Sequence, residues 1–260
     1  RGTGFRDPRL PGGVMEEVSE LLEAMADAGT ARSAGKQLTC LRGIRGVPPG
    51  EIARIADAAW REHKPRLPRD EDELDRLFGQ AFEDGLVAIG LAAAAVGDDP
   101  EAALDMGLDW AQRTDDATTA DALGWLLLGP AALAGPGLGA VRSRLLGHRR
   151  PEVRRACVMA GMAATPATVQ GPAAAPLRAR VGQRRLRIVD AALSEALAPH
   201  ASALVKDEAP VVRKALRRLL RAWAADDPEA VVAWADTIAG GLPKLLKAEV
   251  DRARRAAERP

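Results

Sequence analysis

Apolar residues recur at helical spacing along the chain, in short stripes separated by proline or glycine. No segment shows sustained alternation of apolar and polar residues or the density of β-branched residues that is typical of strands. Because proline and glycine are costly inside a helix, each interruption predicts a boundary between two helices. Helices are predicted at residues 13–28, 73–80, 82–96, 116–128, 152–164, 183–197, 209–225, 229–239 and 242–257, and others open near residues 51 and 100.

Consecutive short helices of this kind form pairs, and each pair buries its apolar face only against neighbouring pairs. The sequence therefore predicts an all-α fold, an α-solenoid whose helical repeats are divergent because they follow no strict period. An irregular helical bundle is the alternative. Residues 1–12 are rich in Gly, Pro and Arg and are predicted to be a flexible leader, and residues 13–260 are predicted to form a single repeat domain.

The two halves of the chain carry opposite charge, although the net charge is only +1. Residues 141–260 contain 23 Lys and Arg against 12 Asp and Glu, whereas residues 1–140 contain 14 against 24. A basic half beside an acidic half indicates a surface that binds a polyanion. A dipolar protein with no anionic partner is the alternative.

Several other classes of protein are disfavoured by the sequence. Cys40 and Cys157 are the only cysteines and form no CxxC pair, and the three histidines are isolated. We therefore expect no disulfide framework, no metal site and no cofactor. No apolar run approaches the roughly 18 residues that a membrane span needs, and no signal-peptide pattern opens the chain. These features favour a cytoplasmic protein without a membrane partner.

The most basic pattern lies in the helix predicted at residues 209–225. Five cations and no acid occur within nine residues, at Arg213, Lys214, Arg217, Arg218 and Arg221. A separate apolar stripe is formed by Val212, Ala215, Leu216, Leu219 and Trp223. One side of this helix is thus predicted to pack against a core and the other to attract anions. An ordinary solvated face is the alternative.

Two further basic clusters lie at predicted helix starts, namely Arg149, Arg150, Arg154 and Arg155 in the first and Arg184, Arg185 and Arg187 in the second. Cations at a helix N-terminus oppose the helix dipole, so such clusters are unfavourable unless an anion compensates them. Successive repeats could align them along one groove, where they would contact backbone phosphates. Aromatic residues are not interleaved with the cations, which favours duplex over single-stranded nucleic acid.

Three segments resemble the AlkD-like DNA alkylation repair family. LRGIRGVPPGEIARIADAAW is similar to the family's early Gly-x-x-x-Pro turn, and RRPEVRRACVMA is similar to its Arg-Arg helix opening. APVVRKALRRLLRAWAADDPEAVVAWAD resembles its C-terminal segment, and the three segments occur in the family's order. The resemblance implies a HEAT-like helical solenoid whose basic concave face cradles duplex DNA. It also implies excision of N3- or N7-alkylated purines without a cofactor, with a carboxylate stabilising the cationic sugar.

By this resemblance Asp121 matches the catalytic carboxylate, and Asp115 and Asp116 are competing candidates. The family's two tryptophans, which contact the lesion deoxyribose, are absent here, because Ala117 and Arg218 stand in their places. Trp110 and Trp125 lie near the carboxylate in sequence and could replace one of them, although both also suit a core position.

The sequence thus predicts a duplex DNA-binding, HEAT-like repeat protein, for which the resemblance implies excision of N3- or N7-alkylated purines through Asp121. A non-catalytic DNA-binding relative and a protein-interaction scaffold are the alternatives. Arg155 matches the family's phosphate-binding arginine, and Arg213 and Lys214 match its C-terminal motif. The expected location is the cytoplasm, at the nucleoid when bound to DNA. The predicted DNA-binding residues are Arg149, Arg150, Arg154, Arg155, Arg184, Arg185, Arg213, Lys214, Arg217 and Arg218.

Overall fold

The computed structural model describes residues 14–38, 40–165 and 192–258, and within them the chain is helical and contains no strand. The first helices are α1 (Val14–Ala24), α2 (Ala28–Gly35), α3 (Pro49–His63), α4 (Glu71–Phe78), α5 (Phe82–Ala95) and α6 (Pro100–Arg113). They are followed by α7 (Ala117–Ala122), a π-helical segment (Leu123–Leu128), α8 (Gly129–Ala134), α9 (Leu138–Leu145) and α10 (Pro151–Ala160). A 3-10 turn (Gly161–Ala164), α11 (Ala192–Leu204), α12 (Pro210–Asp226), α13 (Pro228–Asp236) and α14 (Lys244–Ala257) complete the series.

The helices form two rows. The front row runs α3, α5, α7 with its π-helical segment, α10, α12 and α14, and each member packs against the next. Behind it α6, α9, α11 and α13 form a second row, whose members contact one another and the front row. Each helix therefore buries its apolar stripe against neighbours close to it in the chain, as the HEAT-like α-solenoid predicted from the sequence requires.

The centre of the core is a continuous helical rod from Ala117 to Ala134, formed by α7, the π-helical segment and α8. This rod is longer than the helix predicted at residues 116–128, and it is long and apolar enough to cross a bilayer, contrary to the sequence expectation. Because 72% of it is buried inside the fold, we interpret it as the core helix.

Two glycines of this rod allow a close approach between the rod and α10. A Cβ atom on Gly124 would lie 2.4 Å from the Ala156 carbonyl oxygen, and one on Gly129 would lie 2.3 Å from the Ala160 carbonyl oxygen. The rod and α10 can approach this closely only because neither glycine carries a side chain. Since α10 is fixed against the rod, residues on their first turns are held at defined separations.

The segment between α2 and α3 is fixed to α5 by two buried carboxylates. Glu83 accepts the backbone N–H groups of Arg45, Gly46 and Val47 at 3.0, 2.8 and 3.3 Å, and Asp84 accepts Arg45 Nε at 2.7 Å. Gly46 has a φ of +84°, which favours glycine. The Gly- and Pro-rich turn recognised in the sequence is thus an ordered connection to the front row.

Two further predicted helix boundaries were wrong. The first predicted helix, at residues 13–28, ends at Ala24, and Asp27 caps a second helix, α2, by accepting the Thr30 N–H at 2.6 Å. The helix predicted at residues 183–197 lies partly outside the described residues, and α11 continues to Leu204 with Pro199 inside it.

Candidate nucleic-acid interface

The first turns of α7 and α10 place Asp121 beside Arg155. Each residue is the fifth of its helix, and the two helices are neighbours in the front row. Arg155 Nε donates to Asp121 Oδ1 at 2.6 Å and Nη2 donates to Oδ2 at 2.7 Å. Arg155 is only 5% exposed and also donates to the Val211 carbonyl oxygen at 2.8 Å. This two-pronged contact fixes the position and orientation of the carboxylate.

A second arginine reaches the same carboxylate from α12. Arg218 Nη1 donates to Asp121 Oδ2 at 2.8 Å, and the Arg218 side chain is 39% exposed whereas that of Asp121 is 14% exposed. Two guanidinium groups therefore share one carboxylate, and the centre carries a net positive charge. Arg218 stands where the resemblance implies an aromatic residue, and it binds the Asp121 carboxylate instead.

Asp115 and Asp116, the competing candidates for the catalytic carboxylate, have other roles in the structure. Asp116 caps α7, accepting the N–H groups of Thr118 and Thr119 at 2.9 and 2.8 Å, and is fully buried. Asp115 accepts the Leu41 N–H at 2.7 Å. Both residues therefore hold backbone in place.

One group of side chains near the start of α7 has the separation of a metal site. The Cys40 sulfur and carboxylate oxygens of Asp115 and Asp116 lie within 4.8 Å of one another. Burial raises the pKa of the Cys40 thiol, with Asp116 and Asp115 adding to the effect, and the Arg42 guanidinium lies 3.6 Å from Asp116 Oδ2. The Arg42 cation beside Asp116 opposes the binding of a metal ion there. We interpret the group as part of the contact between the loop and α7.

Trp110 and Trp125 both belong to the core. Trp110 is fully buried, stacks on Phe78 with ring centroids 4.5 Å apart and donates its indole N–H to Asp75 at 2.8 Å. Trp125 is also buried, in the π-helical segment. Neither residue replaces the aromatic contacts that are missing at positions 117 and 218.

The basic stripe of α12 is paired with acids from other helices. Arg217 and Arg221, on the side away from α10, both bind Glu249 of α14, with Arg217 Nε 2.5 Å from Oε1 and Arg221 Nη2 2.8 Å from it. Although burial alone would raise it, these hydrogen bonds hold the pKa of the Glu249 carboxyl below its ordinary value. Arg217 and Arg221 therefore combine an ion pair to a buried carboxylate with side chains that are 38% and 54% exposed.

Arg154 and Arg213 hold two connections together through Asp207. Arg154 binds the Asp207 carboxylate at 2.6 and 3.2 Å and donates to the His148 and Arg149 carbonyl oxygens at 2.7 and 3.1 Å. Arg213 Nε donates to the Asp207 carbonyl oxygen at 2.8 Å. Asp207, in the connection between α11 and α12, thus supplies the negative charge that compensates Arg154 near the start of α10.

The remaining predicted DNA-binding residues are exposed or lie outside the described part of the chain. Arg149, Arg150 and Lys214 are exposed. Arg184 and Arg185 are outside the described residues. The sequence prediction did not include Glu249. It could have been recognised from its position on the apolar stripe of α14, with Leu246, Val250 and Ala253. A carboxylate on a buried stripe indicates an ion pair.

The comparison with protein families shows the family of the chain. Residues 18–249 match the model of the DNA alkylation repair enzyme family. The chain belongs to the DNA alkylation repair enzyme family. A role related to DNA repair follows from this membership.

A solved structure of a predicted DNA alkylation repair enzyme from Enterococcus faecalis has a similar fold, with a TM-score of 0.61 and 16% sequence identity. The match covers 88% of this chain and 96% of that one. Among curated proteins no sequence matches this chain. This member of the DNA alkylation repair family therefore retains the fold of that structure. Its Asp121 carboxylate is paired with Arg155 and Arg218.

Proposed function

We propose that this member of the family binds duplex DNA across the front row, over the surface formed by α7, α10, α12 and α14. The observation that carries the proposal is the excess of cations there. Five arginines share two carboxylates, Asp121 and Glu249, and the five are Arg155, Arg217, Arg218, Arg221 and Arg252. Lys214, on the same helix as three of them, is exposed. Duplex DNA offers evenly spaced backbone phosphates that such a surface can neutralise.

A titration of duplex binding against salt tests this proposal. If phosphates are neutralised, the logarithm of the association constant falls linearly with the logarithm of the salt concentration, with a slope of about −0.9 per phosphate contacted. A fluorescently labelled duplex, measured by anisotropy, gives the slope directly. Affinity that is independent of salt would exclude phosphate contact and would favour a protein-interaction scaffold.

Excision of an alkylated purine through Asp121 is the second proposed activity. Alkylation at N3 or N7 makes the purine cationic, so the C1′–N9 bond breaks with its electron pair leaving on a neutral base. Positive charge develops on the sugar, and a carboxylate fixed nearby stabilises it. Water then adds to C1′ and releases a proton, which leaves an abasic site. The fixed, 14% exposed side chain of Asp121 supports this role.

The position of Arg218 opposes excision as long as it pairs with Asp121. Two guanidinium groups outweigh one carboxylate, so the centre in its present arrangement would repel a developing sugar cation. Arg155 is buried and cannot leave, whereas Arg218 is 39% exposed and makes one hydrogen bond to the carboxylate. Excision therefore requires Arg218 to move onto a backbone phosphate when DNA binds.

Release of abasic sites from N7- or N3-alkylated duplex separates an enzyme from a non-catalytic relative. If Asp121 acts as proposed, Asp121→Asn lowers the rate on the order of 100-fold, by the magnitude typical of lost electrostatic stabilisation. Asp105→Asn, an exposed change on α6, is the matched control and leaves the rate unchanged. Duplex binding without any release by the wild type would leave the chain a DNA-binding member that does not excise these lesions.

A further inference from the structure

Glu249 holds three arginines at the surface where α12 meets α14. Arg252, one turn further along α14, also pairs with Glu249, through Oε2. The Glu249 side chain is 1% exposed, whereas those of Arg217, Arg221 and Arg252 are 38%, 54% and 54% exposed. One buried anion therefore orients three accessible cations that come from two helices.

Glu249 accepts hydrogen bonds from only some of the N–H groups of the three guanidinium groups. Each guanidinium has five N–H donors in a rigid planar fork. Glu249 accepts Nε of Arg217, Nε and Nη2 of Arg221 and Nη1 of Arg252. Within the described residues no other acceptor contacts these three groups. The remaining donors are therefore available to a ligand.

The charge of this cluster selects the chemistry of that ligand. Three cations against one carboxylate leave two positive charges in a small area, and their mutual repulsion is relieved by a bound anion. Fixed arginine forks match the oxygens of a phosphate group in geometry as well as in charge. Arg217 directly precedes Arg218 on α12, so this helix carries both an arginine of the cluster and the arginine that binds Asp121.

We propose that Arg217, Arg221 and Arg252 form a phosphate-binding site that Glu249 organises, at the end of the front row where α12 meets α14. Where the phosphate belongs to duplex DNA, the site rests on the proposed function and extends the contacted backbone to α14. Free phosphate is the other source of the same chemistry. Glu249 acts as a positioning residue, because its contacts are to the arginines.

Removing one arginine of the cluster tests the site. Arg252→Ala is expected to reduce the magnitude of the salt slope for duplex binding by about 1, since one phosphate contact is lost. Arg255→Ala is the matched control, because Arg255 is an exposed arginine on the same helix outside the Glu249 cluster, and it leaves the slope unchanged. Equal changes in the two variants would overturn the proposal. They would indicate that DNA responds to the overall positive charge of α14 and not to the Glu249 cluster.

Glu249→Gln gives a second test, in which two explanations predict opposite signs. If Glu249 contributed only negative charge near DNA, the neutral variant would bind the duplex more tightly. If it positions the arginines, the variant binds several-fold more weakly although its net charge is more favourable. Circular dichroism confirms that each variant is folded before binding is compared. Tighter binding by the folded variant would remove the organising role, and if the variant does not fold, Arg252→Ala decides.

Thermal melting with inorganic phosphate distinguishes the sources of phosphate and separates this site from the proposed function. At matched ionic strength, phosphate is expected to raise the Tm of the wild type more than that of Arg252→Ala. If the wild type does not bind duplex but shows this difference, the site stands as a free-phosphate site and the proposed function fails. If the wild type binds duplex and Arg252→Ala behaves as the wild type in both assays, the site is overturned and the proposed function stands.

Discussion

Arg155 and Arg218 bind one carboxylate but differ in what each can do for it. Arg155 is buried and donates a hydrogen bond to each carboxylate oxygen, so it fixes the position of Asp121 in the folded protein. Arg218 is accessible and binds one oxygen, so a DNA phosphate can compete for it. The proposed excision therefore depends on a competition between Asp121 and phosphate for Arg218.

His200 is a buried residue whose protonation would destabilise the folded state. Its Nε2 lies 2.8 Å from the Cys157 carbonyl oxygen, which requires the N–H on that nitrogen, and Nδ1 has no hydrogen-bond partner within the described residues. Burial, together with the charge of Arg142, lowers the pKa of His200 from 6.5 to about 4. The folded protein therefore holds this imidazole neutral at physiological pH.

The stability that His200 contributes is predicted to be lost in acid. Because the folded pKa is below the unfolded value, the contribution is complete above about pH 6.5 and is lost as the pH falls toward about 4. Urea unfolding at pH 7.5 and 4.5 should show that the wild type loses about 2 to 3 kcal/mol more than His200→Gln. Equal losses in the two proteins would show that His200 becomes protonated in the folded state.

Among the helices, the rod from Ala117 to Ala134 is the element on which the site depends. It carries Asp121 on its first turns and packs against α10 through Gly124 and Gly129. The π-helical segment begins two residues after Asp121, so the side chains that follow it turn to positions that a regular helix would not give them. The distance between Asp121 and Arg155 is thus set by the packing of two helices.

Gly124→Ala is predicted to destabilise the protein by more than about 2 kcal/mol, because overpacking forces two helices apart. The added Cβ would lie 2.4 Å from the Ala156 carbonyl oxygen and 2.6 Å from Met159 Cβ. Gly50→Ala is the control: it lies in α3 with nothing within 4 Å of its added Cβ, and we expect it to be neutral or stabilising by about 0.5 kcal/mol. Similar unfolding free energies for the two variants would contradict the close packing.

Across the whole chain the charge asymmetry predicts where DNA binds. The excess of Lys and Arg lies in residues 141–260, and the accessible cations of the proposed surface come from that half. The acidic half should repel the backbone, which would give bound DNA a preferred position along the solenoid.

Single-cation variants from the two halves test this asymmetry. Lys214→Ala should reduce the magnitude of the salt slope by about 1, because an exposed phosphate contact is lost. Arg61→Ala, an exposed change on α3 in the acidic half, should leave both affinity and slope unchanged. Equal effects would show that DNA has no preferred half.

Sequence patterns identified the fold more completely than the site. Periodicity and Pro or Gly breaks are local signals, so most helices lie close to their predicted bounds. The exceptions lie at Asp27, after Leu128 and after Leu197, and the first two involve a cap and a helix continued through a π-helical segment. Resemblance supplied Asp121 and Arg155 as candidates, but it could not show that Arg218 pairs with Asp121. That contact joins residues 97 positions apart.

The order of the amino acids alone established a helical solenoid with a basic C-terminal half, because helix periodicity and net charge depend on neighbours within a few turns. Tertiary structure decided which cations are paired and which are accessible. Arg217 meets Glu249 across 32 positions and Arg154 meets Asp207 across 53, and such pairs follow from helix packing. A charge pattern in sequence gives the number of cations, whereas burial and pairing determine which of them can reach a phosphate.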